Sequence, residues 1–158
     1  MPTPDEFLTT VIRPTLIEIG LQSTAAEQLL LGTAMQESEL VHRRQLGNGP
    51  ARGFFQMEPA THNDIWENFL KFKKDLAKKV TNLMSSPTAD KIEQLETNDR
   101  YACAMARVHY LRAKGALPAA NDIKGMANYW KQHYNTPLGA GKPAEFIAKW
   151  HKAFPQPA

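Results

Sequence analysis

The stretch 24–38, "TAAEQLLLGTAMQES", decides the fold class. Thr24 and Glu27 stand at capping-box spacing, which predicts a helix start at Thr24. The apolar run "LLLGTAM" carries the helix onward, and "QESEL" (36–40) closes it near Glu39. On the N-terminal side, "DEFLTTVIRPTLIEIG" (5–20) places Phe7, Leu8, Val11, Ile12, Leu16 and Ile19 at helical spacing. Pro14 should kink or split that segment, and Gly20 should end it.

On the C-terminal side the character changes. "LGNGPARGFFQMEP" (46–59) holds three glycines and two prolines and reads as loop, with a short β-hairpin left open around 46–57. Thr61 with Asp64 resembles a capped helix start, and "NDIWENFLKFKKDLAKKVTNLM" continues at helical period. "SSPTAD" is a break. Helices are expected over 98–113, from Ile123 to about Tyr134, and in "AEFIAKWHKA", with "KGALPAA" and "NTPLGAGKP" as loops between them. Without a repeat, a linker or a low-complexity tract, the reading is one all-α domain over 1–158, with six to seven helices.

Composition narrows the function classes. The chain is 42% hydrophobic and 22% charged, so it can bury an ordinary core. The single cysteine, Cys103, lies in the apolar run "YACAMARV", and a buried structural thiol is expected. The N-terminus "MPTPDEFLTT" has no basic n-region, so no secretory signal is expected. No apolar run approaches the ~20 residues of a membrane span. The net charge of +3 points only weakly to an anionic partner. Lys71, Lys74 and Lys78 of "KFKKDLAKK" share a helical face by spacing, which reads as a solvated side, though an anionic wall or outer-membrane surface would also suit it. Nucleic-acid binding would need aromatics interleaved on a recognisable module, and Phe72 alone does not supply them.

The five histidines form no HExxH or other tight pair, so neither a metal nor a cofactor is expected. Ser38 sits in no GxSxG turn, and Cys103 has no placed histidine. "GNGPARG" lacks the GK[ST] ending of a phosphate-binding loop. Carboxylates remain. Glu37 lies seven residues after Leu30 and four after Thr33, on the line of the core-facing stripe. Glu39 lies roughly 200° further round, toward solvent. A carboxyl held partly out of water has its pKa raised, as a general acid near neutral pH requires. The alternative is a plain helix-end acid, although a negative charge there opposes the helix dipole.

Glu37-Ser38, followed fifteen residues later by "GFFQMEPAT" (53–61), resembles the lytic transglycosylase and goose-type lysozyme superfamily. That family reads E-S, a glycine-bearing loop, then G-[L/F]-[M/F]-Q-x-x-P-x-T. Gly53, Gln56, Pro59 and Thr61 match in order. "ARVHYLRA" looks like its a-x-Y-L-r helix, and "MANYWKQHYNTPLGAG" like a divergent form of its late a-Y-N-a-G element. The resemblance spans about 25–136 and looks most like a phage-encoded member, an endolysin or a virion-associated wall-degrading protein.

The resemblance implies a lysozyme-like fold and cleavage of the β-1,4 bond between N-acetylmuramic acid and N-acetylglucosamine in peptidoglycan. It implies Glu37 as acid and then base, closing a 1,6-anhydro ring without water, with Ser38, Gly53, Phe54, Phe55, Gln56 and Tyr129 lining the glycan site. Only one of Phe54 and Phe55 should touch sugar, because adjacent residues on extended chain face opposite ways. Gln56 could equally bridge loop and helix. Tyr129 is expected to hydrogen-bond near Glu37, with Tyr134 as the alternative. The expected partner is a peptidoglycan strand met by a monomer in the periplasm or wall. Two rivals stand beside this reading: a hydrolytic lysozyme, with Asp64, Asp99 or Glu58 as second acid, and a non-enzymatic wall-binding or virion protein.

Overall fold

A computed structural model of the protein describes residues 1–135 and 139–155; residues 136–138 of the "NTPLGAGKP" loop and 156–158 lie outside the described residues. Three consecutive segments, Pro4–Phe7, the π-helical Leu8–Ile12 and Arg13–Glu18, form one rod, α1. The remaining helices are α2 (Thr24–Ser38), α3 (Pro59–Asn68), α4 (Lys74–Thr81), α5 (Lys91–Thr97), α6 (Asp99–Leu111), α7 (Ile123–Trp130) and α8 (Pro143–Ala153). A π-helical turn, Lys131–Asn135, extends α7. The fold is all-α. Extended structure among the described residues amounts to two isolated antiparallel bridges, Arg44 with Arg52 and Arg52 with Met57, so the hairpin is reduced to single paired residues. Among the described residues no helix is long and apolar enough to cross a membrane.

Pro14 widens α1 rather than breaking it. A proline has no N–H for the carbonyl four residues back, and its ring crowds that carbonyl. The chain answers with a π turn just before it, in which Arg13 N–H reaches back to Leu8 O. The released Thr10 carbonyl accepts from Arg100 Nη2 at 3.0 Å.

Two sequence expectations are corrected at local level. The cap of α2 is Ser23, whose Oγ accepts from Ala26 N–H at 3.0 Å, and Thr24 is the first helical residue. Glu27 is therefore not a capping-box partner. It is buried and takes two hydrogen bonds from Arg13, at 2.9 and 3.0 Å, and one from Gln22 at 2.8 Å. Burial alone would raise its carboxyl; the bonds to Arg13 and Gln22 outweigh that and hold it low. The second correction concerns 61–82. Phe69 and Lys73 leave helical geometry around a 3₁₀ turn, Leu70–Phe72, so α3 and α4 are separate and Lys71 does not share a helix with Lys74 and Lys78. The helix α5, capped by Asp90, was not expected after "SSPTAD".

The core is organised by α2 and α6. Both are buried nearly all round, so α2 has no single core-facing stripe. It packs against α1, α6, α7 and α8. Where α2 meets α6, Thr33 Oγ donates to Leu29 O at 2.7 Å and accepts from the Tyr110 hydroxyl at 2.8 Å. The buried polar atoms thus satisfy each other. Where α2 meets α8, Gly32 faces the Phe146 ring, and a Cβ on Gly32 would stand 2.3 Å from Phe146 Cζ. Phe146 in turn packs on Trp130 of α7, with ring centroids 5.8 Å apart.

Gly32→Ala is expected to force α8 away from α2 and to cost about 1–3 kcal/mol, as overpacking does. Chemical denaturation should show a lower midpoint at unchanged slope. An unchanged midpoint would mean that α2 and α8 do not meet there as described.

Candidate active site

The last turn of α2 ends in a backbone unusual for non-glycine residues. Glu39 (φ 54°) and Leu40 (φ 56°) are both left-handed. Ser38 fixes this reversal: its Oγ donates to Ala34 O at 3.0 Å and accepts from Leu40 N–H at 3.2 Å. The reversal leaves Glu37 half-buried and Glu39 exposed, as the wheel places them. Glu37 Oε2 accepts from Trp130 Nε1–H at 2.9 Å. Lys149 of α8 lies over the same helix end, donating to Gln36 O at 3.3 Å and standing 3.5 Å from Glu39. Burial pushes the Glu37 carboxyl up to about 7, against the opposing pull of the Trp130 hydrogen bond and the Lys149 charge. It can therefore hold a proton near neutrality and release it close by.

A loop from His42 to Met57 faces this carboxyl. Arg43 binds it to α5 and α6: the guanidinium bonds the Glu96 carbonyl at 3.2 Å, pairs with Asp99, and lies 4.0 Å over the Phe54 ring. Arg44 reaches Glu96 at 2.7 Å. Gln45 and Ala51 close the loop on itself, with Gln45 N–H to Ala51 O at 3.1 Å and Ala51 N–H to Gln45 Oε1 at 3.0 Å. Asn48 (φ 64°) and Gln56 (φ 48°) of this loop are left-handed as well, and Gln56 Nε2 donates to Gly53 O at 2.8 Å. Non-glycine residues in this region are strained and persist only where neighbours over-determine them.

Between loop and helices lies a cleft of about 670 Å³. Glu37 opens into it, with His42, Gln45, Leu46, Ala51, Gln56 and Met57 from the loop, Glu58 and Thr61 from the start of α3, His109 from α6, Tyr134 and Asn135 after α7, and residues 139–141. Tyr134 donates to Phe55 O at 2.6 Å, tying the π turn to the loop. Its ring stands 5.1 Å from His109 and 5.3 Å from Tyr110. Burial pushes His109 down to about 4, helped by the nearby Arg112 and His133, so the imidazole is neutral. Burial and the Glu37 charge raise the Tyr134 hydroxyl well above its ordinary value.

Of the residues expected to form the site, Glu37 and Gln56 line the cleft; the others do not. Ser38 is buried and spent on backbone. Gly53 (φ +77°) is required by packing: a Cβ there would lie 2.0 Å from Leu95 O. Phe54 and Phe55 are both buried, 5.7 and 5.9 Å from the Phe7 ring. They sit in a turn, not extended chain, so the expected alternation fails and neither ring faces the cleft. Tyr129 packs on Tyr110 and His133, at 5.6 and 4.4 Å, and among the described residues its hydroxyl has no hydrogen-bond partner, Glu37 included. The neighbouring Trp130 holds Glu37, and Tyr134, the alternative tyrosine, lines the cleft.

Trp130 was legible in principle. Ile123, Met126, Ala127 and Trp130 follow the i, i+3, i+4, i+7 pattern of a buried face. Nothing in the sequence pointed to His109, whose place depends on how α6 crosses α2. Asp64 pairs with Arg112 at 2.6 Å and Asp99 with Arg43, which leaves Glu58 as the second carboxylate on the cleft among the described residues. Among the described residues no three His, Cys, Asp or Glu side chains gather as a ligand set for a metal. His62 is internal: Trp66 Nε1–H donates to Tyr101 Oη at 3.0 Å, so that hydroxyl donates to His62 Nε2 at 2.7 Å. Cys103 is fully buried, and burial pushes its thiol up.

Because Glu37 binds its proton more tightly in the folded chain, its ionisation costs stability as pH rises from about 4.5 through about 7. Glu37→Gln keeps shape and removes that penalty. At pH 8 the variant should be more stable than wild type by on the order of 2 kcal/mol, with the difference vanishing toward pH 4. Thermal unfolding across that range tests it; parallel curves would place the carboxyl in water.

No family model, curated protein or solved structure matches the chain.

Proposed function

We propose that the protein is a glycosidic-bond-cleaving enzyme of the lytic transglycosylase type, acting on the glycan strand of peptidoglycan. The observation that carries the reading is Glu37: one carboxyl, raised to about 7 by burial, bonded on one oxygen to Trp130 and facing an open cleft. General acid catalysis works best when the acid's pKa lies near the working pH. The order Glu37-Ser38, Gly53, Gln56, Pro59, Thr61 supports the same family, and the all-α fold is consistent with it.

In this mechanism the Glu37 carboxylic acid gives its proton to the glycosidic oxygen as the C1–O bond breaks. The N-acetylglucosamine leaves with a free 4-hydroxyl. The resulting carboxylate then accepts the proton of the muramyl 6-hydroxyl, whose oxygen bonds to C1. Glu37 ends protonated, the product is a 1,6-anhydro ring, and no water is consumed. The neutral His109 and Tyr134 and the amides of Gln45, Gln56 and Asn135 give the cleft hydrogen-bonding groups suited to an uncharged sugar. Such a substrate places the site of action in the periplasm or wall, with delivery by a phage as the route that the sequence resemblance suggests.

A second reading has a specific observation in its favour. Glu58 is exposed and lines the same cleft, so a base able to activate water is available for hydrolysis. Mass spectrometry of digested peptidoglycan separates the two. Muropeptides one water lighter, with anhydro-muramyl ends, are expected; ordinary reducing ends, lost in Glu58→Gln, would establish the hydrolase. Glu37→Gln should abolish either product, and retained activity would remove Glu37 from the chemistry.

The pH profile gives a separate check. kcat/KM should fall as pH rises through about 7, when free Glu37 loses its proton. Trp130→Phe deletes a hydrogen bond that favours the carboxylate, so the limb should move to higher pH. A limb that stays in place would mean the indole does not govern this proton.

A further inference from the structure

The segment from the turn after α3 into α4 carries a charge distribution unlike the rest of the chain. Lys71, Lys73, Lys74, Lys78 and Lys79 are all exposed, and among the described residues none forms an ion pair. Asp75 is the one acid among them. Five lysines against one aspartate exceed the +3 of the whole chain, so the remainder is net negative. Positive charge is therefore concentrated in this stretch of chain rather than spread evenly.

An apolar ring projects from the same patch. The 3₁₀ turn buries Leu70 completely and leaves Phe72 70% exposed. The turn is fixed by Phe72 N–H to Phe69 O at 3.1 Å and Lys73 N–H to Leu70 O at 2.9 Å. Lys71 Nζ stands 5.9 Å from the Phe72 ring and Lys73 Nζ 5.7 Å from the Phe69 ring. The ring is thus held outward on an ordered turn, with the Lys71 ammonium beside it and that of Lys73 over the neighbouring Phe69 ring. Leaving a phenylalanine in water is unfavourable, and isolated cases need no cause. Here the ring stands at the start of the most cationic segment of the chain.

We propose that this turn is a docking surface for an anionic lipid bilayer, with Phe72 entering the headgroup–acyl boundary and the exposed lysines beside it on the lipid phosphates. The two features select this partner together. Juxtaposed lysines are attracted to an anionic leaflet within a Debye length. An aromatic ring gains from the interface by leaving water. A soluble polyanion would account for the lysines and give no role to the ring. The proposal is independent of the reaction assigned to Glu37.

The test is co-sedimentation of the full chain with vesicles containing phosphatidylglycerol and with pure phosphatidylcholine vesicles, at low and high salt. Binding to the anionic vesicles alone, weakened by salt, is expected. Phe72→Ser should weaken it by about tenfold or more, and Lys73→Gln with Lys74→Gln and Lys78→Gln should weaken it further and reduce its salt dependence. All changes lie on exposed side chains, and thermal unfolding of each variant verifies the fold. Phe72→Trp should add a blue-shifted, quencher-protected emission with anionic vesicles only. No binding to anionic vesicles, equal binding by Phe72→Ser, or equally tight capture by soluble polyphosphate irrespective of Phe72 would overturn the proposal.

Discussion

The burial of α2 on every side is the constraint on which the rest depends. A helix wrapped by α1, α6, α7 and α8 leaves water access only at its ends. An acid in its last turn must either ionise against a desolvation penalty or keep its proton. At Glu37 the balance falls near neutrality, because a single indole N–H and a nearby lysine offset only part of the penalty. The position of that N–H is set by packing. Gly32 admits the Phe146 ring, Phe146 seats Trp130, and Trp130 meets Glu37. A missing Cβ in the middle of α2 thus fixes the hydrogen bond at its end.

The same burial gives the cleft its chemical character. It raises the carboxyl of Glu37 and the hydroxyl of Tyr134 and lowers the imidazole of His109. In each case the neutral form is favoured. Near pH 6 these three groups present hydrogen-bonding edges without charge. A cleft of this kind suits a ligand made of hydroxyls and amides, and Glu37 carries a proton it can exchange near neutrality. Ser38, Glu39, Leu40 and Gln56 hold the surrounding backbone in place, the last three with left-handed φ.

The helical class was legible in the sequence from its periodicity; Glu37 and Glu39 do part as half-buried and exposed, but the left-handed reversal after Ser38, not a stripe on α2, turns Glu39 outward. What was not legible depends on tertiary placement. Phe54 and Phe55 were read on extended chain, but a turn beginning at Gly53 sends both rings to Phe7. Tyr129 and Trp130 differ by one step of about 100° on α7, and the packing of α7 on α8 decided which one reaches Glu37. Ser23 rather than Thr24 is the cap, and Glu27 is committed to Arg13 on α1. His109 entered the cleft through the crossing of α6 with α2. Pattern within an element was reliable here; pattern across elements was not.

The proposed chemistry needs a protonated Glu37 near neutral pH. The most direct measurement is a carbon-13 NMR titration of the Glu37 side-chain carboxyl, assigned by its loss in Glu37→Gln. A midpoint close to 7 is expected. A midpoint near the 4.5 of an ordinary glutamate would contradict it and return Glu37 to a plain helix-end acid.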